Sequence, residues 1–513
     1  MKKTFFLLMV ILAANNLLAQ VKISGSVKDN KGNAIPGASI SIKNSYDGAT
    51  TDSLGNFSFK TVDKGQQLLV FTSIGYKDVE QPVLIDKNPL SYNIVLKEKL
   101  DELRAVSVTA GTFEAGDRKR AATVLNSIDV ATVGGANADI TSAVKTLPGA
   151  QQVGEQEGLF VRGGAGYETK QIIDGTIVNN PFYSSAPDIA SRGRFSPFLF
   201  KGTVFSTGGY SALYGQALSS VLILESIDLP ERSQASASIS TVFLGAGYQA
   251  LTKNKKSSWG VNYGYTNLQP YFEIVKQKPD YFKVPELHSA DANFRTKTKR
   301  GGMIKYYTTL TTLQTGLRRP DIDSSLLKNA FGLKNMNWYN NLSWKESLGK
   351  GWKMNVGLSY STNKDNIDQQ IQDLRNKPNA TGISYIDDKN FVLDSRSDLS
   401  QARVVMEKKL RGISTVRFGA EHWYGYQKST YNTYSSILKD HFTAMFGETD
   451  IYITNGLAAK LGARYEYSTI IGKANVAPRL SLAYKTGKDA QMSFAYGTFY
   501  QKNYRTNINW FIL

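Results

Sequence analysis

The sequence predicts a mainly β protein with three parts: an N-terminal β-sandwich, a mixed α/β segment, then an incomplete antiparallel transmembrane β-barrel. Three observations predict it. Short alternating segments punctuated by turn residues fill the first hundred positions. A glycine-rich stretch mixing helical and extended patterns follows. From Gln234 onward, longer alternating segments carry Tyr and Trp at their ends.

Met1 to Gln20 reads MKKTFFLLMVILAANNLLAQ, two lysines, an apolar run and a small residue at Ala19. The apolar run is about ten residues, too short to cross a bilayer, and the pattern is that of a secretory signal over residues 1–19. The 513-residue chain has no cysteine, so in an exported protein disulfides and thiolate metal sites are excluded. Its three histidines, His288, His422 and His441, lack metal-ligand spacing. No metal, cofactor or catalytic residue is expected.

Residues 20–100 hold "VKISGSV", "ASISIK", "GNFSFK" and "QLLVFTSIGY", with turn chemistry at Asp29-Asn30, Pro36-Gly37 and Gly55-Asn56. Strands of about five to seven residues with turns at this spacing read as a small sandwich. In Thr51-Asp52-Ser53-Leu54-Gly55-Asn56-Phe57 a single carboxylate is too little for a calcium loop, so the run reads as a hairpin turn. "ISGSVKDNKGNAIPGASISIK", "TTDSLGNFSF" and "FTSIGY" together resemble the carboxypeptidase-regulatory-like domain, a transthyretin-like β-sandwich. That resemblance implies a binding or spacer module without peptidase chemistry.

Residues 117–229 contain "ADITSAVKTLPGA", with Asp139 or Thr141 as N-cap and Pro148-Gly149 as stop. "GLFVRGG", "KQIIDGTIV" and "SSVLILES" read as strands. Asp174-Gly175 fits a tight turn. A phosphate loop needs Gly-Lys-Ser/Thr opening a helix, which Arg162-Gly163-Gly164 does not provide.

In residues 230–513, Trp259, Val261, Tyr263 and Tyr265 alternate with small or polar residues, and so do Trp352, Met354, Val356, Leu358 and Tyr360. Positions two apart share one face of a strand. A soluble sandwich also alternates. The barrel is favoured by strands of ten or twelve residues against the usual five or six, by their aromatic ends, and by short turns ("KTGKD", "SLGKG") alternating with long connections such as Asp365 to Ser397. The formal charge of +18 is dispersed, without a nucleic-acid signature, and suits anionic lipid or lipopolysaccharide.

"DITSAVKTLPGAQQ", "LFVRGGAGYETKQIIDGTIVNNPF" and "VFSTGGYSALYGQALSSVLILES", in that order, resemble the plug domain of TonB-dependent outer-membrane receptors. The resemblance implies that Arg162, Gly163, Gly164, Asp174 and Gly175 maintain a plug inside a barrel. The glycines would allow close backbone approach, and Arg162 would pair with carboxylates of the barrel wall. Within the linker, residues 101–116, Val106, Ser107, Val108, Thr109 and Ala110 resemble the TonB box, an extended segment able to join a sheet edge in its partner.

The family closes a barrel of twenty-two strands. At roughly 45 residues per hairpin, about twelve strands fit between Gln234 and Tyr500. The expectation is therefore a chain truncated within the barrel, with transport by the truncated chain in doubt. The function expected of the intact relative is energy-dependent uptake of a scarce ligand (siderophore, cobalamin, glycan or peptide) across the outer membrane of a Gram-negative bacterium, powered through TonB. Ligand contacts are expected around Gly154 to Gly158 and Asn179 to Tyr183. The competing reading is a secreted β-sandwich adhesin or carbohydrate-binding protein.

Overall fold

The computed structural model describes residues 20–96 and 122–502, apart from short stretches at 30–31, 44, 46, 74–75, 77, 152, 154–157, 187–190, 207–208, 278, 411–413, 455 and 487–490. The signal segment and Val106–Ala110 lie outside the described residues.

The N-terminal part is a two-sheet sandwich. Its strands are β1 (Val21–Asp29), β2 (Ser39–Ile42), β3 (Gly48–Thr50), β4 (Asn56–Thr61), β5 (Gly65–Thr72), β6 (Val79–Ile85) and β7 (Leu90–Leu96). One sheet runs β4-β1-β7 and the other β3-β2-β5-β6. Alternation sends Ile23, Val27, Ile40, Ile42, Phe57, Leu69 and Phe71 into one buried core. At the β3–β4 turn the Asp52 carboxylate accepts from the amides of Leu54 (2.9 Å) and Asn56 (2.8 Å). Bonds from the Asn56 and Leu54 amides hold its pKa below the ordinary carboxylate value. The carboxylate closes a turn, but β3 and β4 lie in different sheets, so it is not the hairpin turn expected from the sequence.

The middle body has a five-stranded mixed sheet, β12-β11-β14-β13-β8. Its first strand is β8 (Ala122–Leu125), followed by α1 (Ser127–Thr132) and α2 (Ile140–Lys145). Asn126 caps α1 in a reciprocal box with Asp129, and Asp139 caps α2 by accepting from the Ser142 amide at 2.7 Å. The short pair β9 (Ala150–Gln151) and β10 (Phe160–Val161) leads to β11 (Thr169–Ile173), β12 (Thr176–Ile177), β13 (Phe200–Ser206) and β14 (Ser220–Ser226). Val144, Val161, Ile173, Phe200, Phe205 and Leu222 form its core.

The third part is one antiparallel sheet of thirteen strands in chain order. They are β15 (Gln234–Ile239), β16 (Phe243–Leu251), β17 (Ser257–Asn267), β18 (Asp280–Lys297), β19 (Met303–Pro320), β20 (Leu327–Gly349) and β21 (Trp352–Asp373). There follow β22 (Phe391–Lys409), β23 (Thr415–Tyr431), β24 (Tyr434–Thr454), β25 (Leu457–Ser468), β26 (Lys473–Lys485) and β27 (Gln491–Gly497). Among the described residues β15 and β27 are the sheet's two edges and do not pair with each other.

The wall is inside-out. On β20, Trp338, Leu342 and Trp344 are 41%, 37% and 38% exposed, while Asn337, Asn341 and Ser343 on the opposite face are 1%, 2% and 1% exposed. Polar side chains bury against the middle body and apolar ones point away from it. Tyr339 joins the middle body's core, its ring 5.4 Å from that of Phe195. A stacked soluble sandwich would bury Trp338 and Trp344 between layers, so this arrangement overturns the adhesin reading. A sheet with this pattern suits hydrocarbon on its outer face.

Thirteen strands are described, where about twelve were expected. Two expectations need correction. The central strands reach 23 residues, not ten or twelve. The expected long connection from Asp365 to Ser397 is strand at both ends, leaving 374–390 as the loop. The hydrocarbon-facing alternation stops near Tyr360, but hydrogen-bonded pairing continues to Asp373. The connection Lys350–Gly351 marks the sheet's turn end and 374–390 its loop end. At the turn end, the Lys409 ammonium donates to Thr50 Oγ1, which links the sandwich to that side.

Candidate functional site

The site is the seam between the middle body and the wall. Asp174 (φ +45°) and Gly175 (φ +97°) form the two-residue turn joining β11 to β12. Positive φ at both positions is the hairpin geometry that Asp-Gly favours. The buried Asp174 carboxylate accepts from the Ser226 amide (3.0 Å) and hydroxyl, fixing the end of β14. Arg403 donates to the Gly175 carbonyl at 2.7 Å. Asn341 donates to Thr176 Oγ1 at 2.8 Å, and Gln401 accepts from the Ile177 amide at 3.0 Å. One hairpin tip is thus bolted to β20 and β22.

The segment Tyr210–Gln216 makes the densest contact. Six inward wall charges surround it: Arg403, Glu421, Glu448, Arg464, Glu466 and Arg479. Arg464 is fully buried, pairs with Glu421 and donates to Glu466 at 2.6 Å. Glu448 accepts from the Ser211 hydroxyl (2.5 Å) and the Ala212 amide (3.0 Å). Glu466 accepts from Gln216 at 2.9 Å. Arg403 donates to the Leu213 carbonyl at 2.7 Å, and Arg479 to those of Tyr210 (3.1 Å) and Tyr214 (2.8 Å). A Cβ on Gly215 would collide with the Glu466 carboxylate and the Arg464 guanidinium, which are held by their own ion pair and would have to shift, so this close approach favours glycine. Buried charges of this kind persist because each is paired or hydrogen-bonded.

A second cluster sits near the turn end. Lys201 lies 3.2 Å from Glu225 and 3.3 Å from Asp228; Lys305 lies 2.7 Å from Asp228, and Lys345 pairs with Glu225. Burial pushes the Glu225 pKa up, but the three lysines outweigh it and bring it down to about 2. Asp228 is held low by the same balance, with Lys305 and Lys201 outweighing burial. β13, β14 and the residues just beyond are thereby tied to β19 and β20.

Among the sequence-predicted residues, Arg162 (φ +52°) and Gly163 (φ +80°) form a turn closed by the Gly164 amide donating to the Val161 carbonyl at 2.9 Å. Arg162 is exposed, and among the described residues no wall carboxylate pairs with it. The wall itself supplies both signs of charge, and its arginines grip backbone carbonyls. Of the expected ligand segments, only Gly158 is described in the first; in the second, Asn179 donates to Ser397 Oγ at 2.9 Å. No group of His, Cys, Asp and Glu able to hold a metal occurs among the described residues. The six wall charges form no motif in the sequence; each occupies an inward position of an alternating strand, Arg464 and Glu466 two apart on β25.

Comparison with known proteins agrees with this architecture. Residues 23–108 match the CarboxypepD_reg-like domain. TonB-dependent receptor P39 of Formosa agariphila is 27% identical over 240 residues, 43% of this chain and 21% of that protein. The hemophore receptor HasR of Serratia marcescens, solved with its hemophore HasA and heme, aligns with TM-score 0.54 and 12% identity over 75% of this chain and 64% of HasR. The ferric enterobactin receptor PfeA of Pseudomonas aeruginosa gives 0.56 and 11% over 75% and 63%. The outer-membrane transporter YddB of Escherichia coli gives 0.53 and 12% over 75% and 61%. The chain spans less than two thirds of each of these proteins. It carries a CarboxypepD_reg-like domain, is homologous to a TonB-dependent receptor, and has the fold of such receptors.

Proposed function

We propose that this chain is the sandwich, plug and first barrel strands of an outer-membrane TonB-dependent receptor that takes up a scarce ligand. The observation that carries the reading is the inside-out wall with a middle body bolted to its polar face. Such a wall belongs in hydrocarbon, and a bolted lumen needs external work to open. TonB, with its inner-membrane energising complex, is the partner that would supply the work, by pairing with Val106–Ala110 as an added strand. The turn end, with the sandwich beside it, would face the periplasm and the loop end the outside. Ligand contacts would fall at the loop-end apices of the plug, Asn179–Tyr183 among them, and the work would be mechanical, without catalytic residues. Siderophore, cobalamin, glycan and peptide remain the candidate ligand classes; no nucleic acid is involved.

Fractionation tests the reading. The chain should partition with outer membranes, need detergent for release and migrate faster on gels before heating than after. Recovery in a detergent-free periplasmic extract would refute it.

A further inference from the structure

The wall's outer face carries a feature that the seam does not use. On β21 the outward residues run from Trp352 to Tyr360, nine residues from one aromatic end to the other. A tilted strand needs about that number to cross the hydrocarbon. Two rows beyond Tyr360, strand register sets Lys364 directly opposite Arg396, and Arg396 directly opposite Lys428. All three are exposed. Lys439, opposite Tyr426, stands one row nearer the apolar band, and Lys334, opposite Asn366, one row further out.

Like charges opposite one another weaken a sheet, and among the described residues only Arg396 of these cations has local partners to offset this, the Asp398 carboxylate at 2.7 Å and the Tyr426 ring, 5.8 Å away. Asp394 and Asp368 share the face further out, and Asp394 accepts from Asn366 at 2.6 Å. Lys364 stands four residues past Tyr360, ~13 Å along the strand and about 10 Å in height at the usual tilt. Its long side chain reaches back toward the hydrocarbon boundary, into the polar layer where lipid phosphates lie. Below the row, Leu358, Val404 and Phe418 are exposed in the same columns.

We propose that Lys364, Arg396 and Lys428 bind the headgroup phosphates of an outer-leaflet lipid whose acyl chains lie on the apolar band beneath. Charge complementarity selects the phosphates, and the apolar columns select a lipid over a soluble anion. This inference rests on the membrane reading above and adds to it a site and a ligand chemistry.

The test uses the detergent-purified full chain, with lipid A and its dephosphorylated form as probes in native mass spectrometry and titration. The phosphorylated form should bind at least tenfold more tightly, less so in high salt, as an electrostatic contact requires. Lys364→Gln, Arg396→Gln and Lys428→Gln combined should weaken it on the order of a hundredfold, without changing heat-modifiable migration. If the triple variant fails to fold, Lys428→Gln should still lose several-fold, and Arg396→Lys should retain binding. Equal binding of both lipids, or of wild type and folded variant, overturns the proposal. So does displacement of lipid A by millimolar pyrophosphate, which would mark a plain anion site. A chain that needs no detergent and shows no heat-modifiable migration would defeat the membrane reading instead, a result distinguishable from indifference to lipid A by an inserted chain.

Discussion

Arg403 and Gly175 meet across the seam at 2.7 Å, a wall guanidinium donating to the carbonyl at a hairpin tip. The same guanidinium donates to Leu213, so one side chain on β22 holds two separate segments of the middle body. Replacing it with methionine keeps much of the volume but leaves Glu421 without one of its partners. Removing one member of a buried charge pair costs about 3–5 kcal/mol. Arg403→Met should therefore expose the middle body to limited proteolysis while the wall keeps its heat-modifiable migration; protection equal to wild type would show that the clamp is dispensable.

Gly215→Ala forces a methyl group against Glu466 Oε1 and Arg464 Nε, at 2.2 and 2.3 Å. Overpacking in a tight interior costs about 1–3 kcal/mol. A thermal melt should show lower stability than wild type, and Gly163→Ala, where a Cβ meets nothing within 4 Å, should show only the smaller cost of its left-handed backbone.

The turn-end cluster predicts an acid dependence. Glu225 has a folded pKa of about 2 against an ordinary 4.5. A depressed carboxyl pKa stabilises the folded state above the unfolded value, and the contribution disappears as pH falls through the folded one. Between pH 5 and pH 2 the melting temperature should fall, with Glu225 contributing about 2 kcal/mol after allowance for its partly exposed side chain. In Glu225→Gln the decline should be shallower. An unchanged slope would remove Glu225 from the clamp.

Lipid contact predicts a position-dependent cost for charge. Val356→Lys places an ammonium at mid-band, where it costs about 2–4 kcal/mol, whereas Asn366→Lys, on the same face but beyond Tyr360, should be nearly neutral. Folding yield into vesicles measures both, and equal yields would contradict the assignment of the band.

Deletion of Val106–Ala110 from a full-length receptor should abolish energy-dependent uptake and spare ligand binding at the cell surface. Uptake assayed with and without a proton gradient decides it; persistence of gradient-dependent uptake would reject the box.

The sequence made local features legible. The sandwich strands, the Asp139 cap and the Asp174-Gly175 turn depend on neighbours in the chain, and each is written in a few residues. The outer face was legible because hydrocarbon imposes alternation on Trp352–Tyr360. Beyond Tyr360 both faces of β21 turn polar, "STNKDNIDQQIQD", and the strand loses the signal that marked it. The seam was least legible. Ser211 and Glu448 are 237 residues apart, and nothing in either neighbourhood names its partner. Arg162, conspicuous beside two glycines, drew an expectation of pairing with wall carboxylates; the guanidiniums that cross the seam are instead those of Arg403, Arg464 and Arg479 on the wall, and they donate to backbone carbonyls.

Thirteen residues of β21 lie past its last girdle aromatic, a span of ~40 Å along the strand; all of them remain laddered to β20, and those as far as Gln369 to β22 as well. On this strand the wall therefore stands as a hydrogen-bonded palisade well past the apolar band, and the connection 374–390 starts only at its crest.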